Sequence, residues 1–134
     1  MTHNTNRKVA VINDISGFGR CSMTVELPII SAMGIQCCPL PTAIFSNHTA
    51  YDSYFFEDYT DKMKPYYKEW EKLELSFAGI CTGFLGSATQ IAIVEDFFRI
   101  FRDSGTLVVV DPIMADGGVP YATYTPQMCA RIKQ

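Results

Sequence analysis

Nothing in these 134 residues approaches an apolar run of the ~20 residues that cross a bilayer, so the sequence predicts no membrane span. Histidine is scarce, with only His3 and His48, and that leaves a zinc site without well-spaced ligands. The five cysteines (Cys21, Cys37, Cys38, Cys81 and Cys129) are odd in number and form no C-x-x-C pair. Cys37 and Cys38 lie in an apolar, strand-like run and Cys81 ends another, so they read as reduced, mostly buried small hydrophobes. A nucleophilic Cys81 lacks any predictable histidine or acid beside it. Positive charge is not in excess: 11 basic against 14 acidic residues give a net charge of −3, with no basic stripe, which argues against nucleic acid as a partner. No G-x-x-x-x-G-K-[ST] occurs, which excludes a P-loop. The polar stretch Met1–Lys8 has no signal-peptide core, and it predicts a cytoplasmic protein. Internal repeats and low-complexity segments are absent.

What is present is an ordinary globular composition, 48% hydrophobic and 19% charged, long enough for one domain with a real core over 1–134. Lys8–Ile12 is a short β-branched run followed by the turn-rich Asn13–Gly19. From Ser22 to Met33, Val25, Ile29, Ala32 and Met33 recur at helical spacing, with Ser22 as N-cap, Gly34 as C-cap and a bend at Pro28. Ile35–Leu40 reads as a second strand closed by Pro41, and Thr42–Tyr54 as an aromatic, polar loop. Between Glu57 and Glu74 ten of eighteen residues are charged while Tyr59, Met63, Tyr66, Tyr67 and Trp70 supply an apolar side, the pattern of a solvated amphipathic helix broken near Pro65. Phe77–Cys81 is a third strand. Ser87 caps a helix to about Arg102 with Ile91, Val94, Phe97, Phe98 and Phe101 inward. A last helix starts at Thr125. Strands alternating with helices predict a doubly wound, mostly parallel α/β sheet with helices on both faces.

The run from Leu107 to Gly118 says most about function. Four aliphatic residues without alternation suit a central strand buried on both faces, and Pro112 ends its pairing. Asp111 then stands at the carboxyl end of that strand, where open α/β sheets bind ligands, and a Gly-rich turn brings Asp116 back toward the same crevice. A strand followed by an Asx-type turn is the plainer reading of the same residues. It is the position, more than the residue type, that favours the ligand. Asn13, Asp14, Thr42, the Phe45–Tyr51 loop and Phe84 fall on the same rim. Phe45-Ser-Asn-His-Thr49 offers hydroxyls, an amide and an imidazole beside aromatics, a set suited to a small polar ring, although Ser46 and Asn47 could equally be satisfying loop backbone. Gly17-Phe-Gly19 is a G-x-G without the third glycine of the dinucleotide fingerprint, since position 22 is Ser. A Rossmann oxidoreductase is therefore disfavoured.

In order and spacing, Thr42-Ala-Ile-Phe-Ser-Asn-His-Thr-Ala-Tyr51, Thr82-Gly-Phe-Leu-Gly-Ser87 and Asp111-Pro-Ile-Met-Ala-Asp116 resemble the pyridoxal kinases of the ribokinase-like superfamily, from about Val9 to Tyr121. The resemblance implies ATP-dependent phosphorylation of the 5′-hydroxymethyl group of pyridoxal, pyridoxine or pyridoxamine. It implies ring contacts by Asn13 (where the family has serine), Thr42, Ser46, His48 and Phe84 (where tyrosine is common). It places Asp111 and Asp116 at phosphates, Mg2+ and a possible monovalent cation, and implies a homodimer for the full-length protein. The glycines of the Asp14–Arg20 segment are reminiscent of hydroxymethylpyrimidine kinases, the alternative within the superfamily. A non-catalytic vitamer-binding module is the alternative outside it. The family's G-x-G-D segment, which supplies the catalytic base, does not occur here. By that resemblance the chain looks like the N-terminal, vitamer-binding portion of a longer kinase, without the nucleotide-binding part.

Overall fold

The computed structural model describes residues 6–133. Its elements run β1 (Lys8–Phe18), α1 (Met23–Ala32), β2 (Gln36–Asn47), β3 (Phe56–Asp58), α2 (Thr60–Lys72), β4 (Gly79–Thr82), α3 (Ala88–Phe101), β5 (Leu107–Val110), the short pair β6 (Ala115–Asp116) and β7 (Val119–Pro120), and α4 (Pro126–Ile132). Five strands form one sheet in the order β3-β2-β1-β4-β5, all parallel except β3. This is the expected mostly parallel α/β sheet, and it carries helices on both faces.

Strand alternation explains the layering. Ala10 and Ile12 of β1 turn to one face with Cys38, Leu40 and Ile80, where they meet Met63 and Tyr67 of α2 and Val94, Phe97 and Phe101 of α3. Aromatic edges knit that layer: the Tyr67 and Phe97 rings are 5.4 Å apart and nearly perpendicular, and Phe97 and Phe101 are 4.5 Å apart. Asn13 turns to the opposite face, where its Nδ2 donates to Glu26 Oε2 of α1 at 2.9 Å.

Two long strands replace predicted turns and loops. Asn13–Gly19 was expected to turn, yet β1 continues to Phe18 after an irregularity between Asn13 and Ile15, and its ladder with β2 reaches Phe18 opposite Asn47. A bulge absorbs the turn-forming residues without ending the pairing. Likewise Pro41 does not close β2. The Gln36 amide donates to Arg7 toward β1, so alternation sends the nitrogens of Pro39 and Pro41 to the outer edge, where no ladder bond is lost. The predicted helix from Glu57 begins instead at Thr60. Glu57 and Asp58 belong to β3, which pairs with Ala43–Phe45, and Pro65 lies inside α2 without breaking it.

Helix α1 also departs from expectation. Ser22 sits at its N-cap position at φ 54° without a side-chain cap bond, and Ile29, Ala32 and Met33 face outward. Gly34, at φ 76°, does terminate it: the Gly34 and Ile35 amides donate back to Ser31 and Ile30, the Schellman pattern. Ser87 caps α3 as expected, accepting from the Gln90 amide. The largest correction concerns β5. Leu107–Val110 is the outer strand, not a central one, and Leu107, Val109 and Val110 are 68%, 47% and 49% exposed. Among the described residues nothing pairs with its far edge.

Candidate functional site

The carboxyl ends of β1, β2 and β4 open onto one cavity of about 620 Å3. Parallel strands bring their ends to a common rim, which is why a sheet of this kind gathers residues distant in sequence. Phe45, at the end of β2, is the centre of the aromatic wall. Its ring lies 5.6 Å from Tyr54, 5.0 Å from Phe56 and 5.8 Å from Phe84. Phe84 is held through its backbone: its N–H donates to Asn13 Oδ1 at 2.8 Å and its carbonyl accepts from Thr42 Oγ1 at 2.8 Å. Gly83 makes this possible, because a Cβ there would land on the Asn13 amide. Gln90 of α3 secures the arrangement from below, donating to the Thr42 carbonyl at 2.8 Å and to Thr60 Oγ1 at 2.9 Å.

The residues singled out from sequence therefore divide. His48 and Phe84 line the cavity, as does Asp116. Asn13 and Thr42 are buried beneath it, with their polar atoms engaged by Phe84, Glu26, the Asp14 amide and Gln90. Ser46 faces away from the cavity: its hydroxyl donates to Asn47 Oδ1 and accepts from the Phe55 amide, the loop-satisfying role its residue type also allowed. Asp111 is exposed beyond β5 and does not line the cavity. Its amide donates to the Thr82 carbonyl, which continues the strand pairing by one residue. The expectation that Asp111 and Asp116 share one crevice is thus met only by Asp116. The chain turns through Pro112 into the β6–β7 hairpin, whose tip glycines, Gly117 and Gly118, both take positive φ.

Ser16, Tyr54, Phe56 and Tyr121 are among the lining residues that carry no sequence assignment. Asp14, on the predicted rim but given no role, also lines the cavity and is only 6% exposed. The i, i+2 spacing of Asp14 and Ser16, and of Tyr54 and Phe56, is the signal that a strand reading of those segments would have used. Ser16 Oγ donates to Asp14 Oδ2 at 3.1 Å. His48 Nδ1 accepts from the Ala50 amide at 3.0 Å, so the neutral ring carries its proton on Nε2. Burial, with the nearby carboxylates of Asp116 and Asp14, holds the Tyr121 hydroxyl above the usual tyrosine range and keeps it a hydrogen-bond donor. Burial also raises the thiols of Cys81, Cys38 and Cys37, the last to about 11, so none of the three is a ready nucleophile.

No family model matches the chain. Solved structures do. A Bacteroides thetaiotaomicron protein described as a phosphomethylpyrimidine kinase, crystallised with pyridoxal, superposes with a TM-score of 0.91 at 46% identity, over 96% of this chain and 45% of that one. Pyridoxal kinase from Lactobacillus plantarum gives a TM-score of 0.85 at 25% identity, over 96% of this chain and 46% of that one. The chain has the ribokinase-like fold of the pyridoxal kinases. Pyridoxal kinase from Leishmania donovani in complex with ADP shares that fold, with a TM-score of 0.79 at 15% identity, over 92% of this chain and 44% of that one. The chain thus spans a little under half the length of the structures it matches, which are kinases acting on small molecules. No helix among the described residues is long and apolar enough to cross a membrane.

Proposed function

We propose that this chain forms the vitamer-binding half of an ATP-dependent kinase that phosphorylates the 5′-hydroxymethyl group of pyridoxal, pyridoxine or pyridoxamine. The observation carrying this reading is the aromatic-walled cavity at the strand ends, with Phe45 and Phe84 against a ring and His48, Asp14 and Tyr121 as its polar groups. Pyridoxal bound to the relative at 46% identity supports it. A hydroxymethylpyrimidine kinase is the second reading, favoured by the description of that same relative. In either case the intact protein is proposed to be a cytoplasmic homodimer.

Asp116 and Asp111 are carboxylates, the donor type that Mg2+ prefers, and Mg2+ is commonly held by one or two of them together with phosphates and waters. Among the described residues no three metal-ligating side chains gather, and of these two carboxylates Asp116 is the one facing the cavity. The ion would offset charge on the nucleotide phosphates. The chain's own groups orient the ring and exclude water from it, and the transfer base is not among these 134 residues, which hold no G-x-G-D. A base on the attacking hydroxyl contributes ~10²–10⁴-fold. The expected result is that residues 1–134 bind pyridoxal in a calorimetric titration, yet convert it with Mg-ATP only at trace rates. Absence of vitamer binding overturns the proposal, and turnover at a complete kinase's rate overturns the division of labour.

A further inference from the structure

Among the described residues, Asp14 is the one carboxylate that is both nine-tenths buried and on the cavity wall. It accepts a single side-chain hydrogen bond, from the neutral Ser16 hydroxyl, and no lysine, arginine or histidine among the described residues pairs with it. A carboxylate has room for about four hydrogen bonds, and a buried one without a counter-charge is costly. The other polar side chains near it do not supply the missing donor. Asp116 is itself an acid, and the Tyr121 phenol, which feels the charge of both, is only a neutral donor. The same cavity is lined by Phe45, Tyr54, Phe56 and Phe84, and aromatic rings attract cations as well as flat rings. Hydrogen-bond donation to this acid must come from what enters the cavity.

We infer that Asp14 is the specificity-determining residue of the cavity, and that it selects a heteroaromatic ligand presenting a protonated nitrogen to its carboxylate. The inference rests on the vitamer reading and adds to it the chemical feature that the pocket reads. A ring nitrogen carrying a proton and an exocyclic ammonium are the two sources of that feature. A phenol or benzyl alcohol of the same shape lacks it and leaves Asp14 desolvated without a charge-assisted donor.

The test is a set of titrations on the 134-residue chain with pyridoxine, with pyridoxamine, and with the carbocyclic analogue of pyridoxine in which the ring nitrogen is replaced by CH. The wild-type chain is expected to prefer pyridoxine, pyridoxamine or both over the carbocycle by roughly tenfold to a hundredfold, the usual range for a hydrogen bond to a charged group. Asp14→Asn, which keeps the shape and can still accept from Ser16, is expected to collapse that preference. A merely structural role would weaken both ligands together and leave their ratio intact. Loss of pyridoxine and pyridoxamine alike places the ring nitrogen at Asp14, whereas loss confined to pyridoxamine places the ammonium there, and either sustains the inference. Equal wild-type affinity for pyridoxine, pyridoxamine and the carbocycle overturns it with no variant needed. So do affinity ratios of both vitamers to the carbocycle that stay unchanged in Asp14→Asn, while the vitamer reading survives both. If none of the three ligands binds the wild type, both readings fall.

Discussion

Val9–Ile12 and Leu107–Val110 are both four-residue aliphatic runs, both lie in strands of the same sheet, and both pair in parallel with β4. Ala10, Val11 and Ile12 are completely buried, while three of the four residues of β5 are substantially exposed. The difference is one of neighbours. β1 has a strand on each side, α1 on one face, and α2 and α3 on the other. Among the described residues β5 has only β4 beside it. Burial is thus imposed by what packs against a strand, and a run of aliphatic residues states only that the strand tolerates being covered. The same contrast divides the site. Its closed wall, from Asn13 through Phe45 to Phe84, is fixed by buried hydrogen bonds, whereas the opposite wall, carrying Asp116 and Tyr121, hangs on a two-stranded hairpin.

That contrast breaks most visibly under core truncation. Phe97→Ala, at a fully buried position, is expected to destabilise by about 3–5 kcal/mol, and Val109→Ala on β5 by only about 0.5 kcal/mol. Urea denaturation of the two variants measures this directly. Comparable losses would mean that β5 is covered in solution and that the asymmetry is not a property of the chain there.

An intermediate effect is expected where the closed wall is pinned. Gly83→Ala drives a Cβ into the Asn13 amide and separates it from the Phe84 N–H. Leaving such a buried group unpaired costs about 1–3 kcal/mol. Vitamer affinity should fall with stability, because Phe84 is then free to tilt. Pyridoxal titration alongside a thermal melt separates the two effects. A variant that melts lower but binds as before would remove Phe84 from the ring pocket.

The smallest effect concerns pH. The Asp96 carboxylate accepts from Tyr67 Oη at 2.9 Å and faces Lys64 at 3.2 Å, and these partners hold it below the usual carboxylate range. A depressed folded value means that its contribution is present above the unfolded value and is lost as the pH falls through the folded one. Asp96 is open to solvent, so the contribution is small. Acid should loosen the contact between α2 and α3 slightly, and Asp96→Asn should flatten the acid limb of the stability profile. An unaltered limb would show that the link is screened entirely.

Local chemistry made much of this legible. Ser87 before the Ile91, Val94, Phe97 and Phe101 stripe identified α3, and Gly34 stopped α1 as its residue type required. Prolines misled. Pro41 and Pro65 were read as terminators, yet one lies on a sheet edge and the other within a continuing helix, and neither position can be seen in the chain itself. The site followed the same pattern. His48, Phe84 and Asp116 were found from their places at strand ends, while Ser16, Tyr54, Phe56 and Tyr121 were missed, because their segments read as turns and loops until tertiary pairing made strands of some and folded the hairpin of Ala115–Pro120 over the others.

By itself, then, the sequence determined the alternation of strands and helices, the parallel sheet and the rim where its strands end, because periodicity and capping act over a few residues. Only the tertiary structure decided how long β1 and β2 run, that β5 lies at the edge, and that Asn13 and Thr42 hold Phe84 in place beneath the cavity while Asp14 faces into it. Those outcomes depend on hydrogen bonds and packing between residues up to 71 positions apart, such as the bond from Phe84 to Asn13, and no local pattern encodes them.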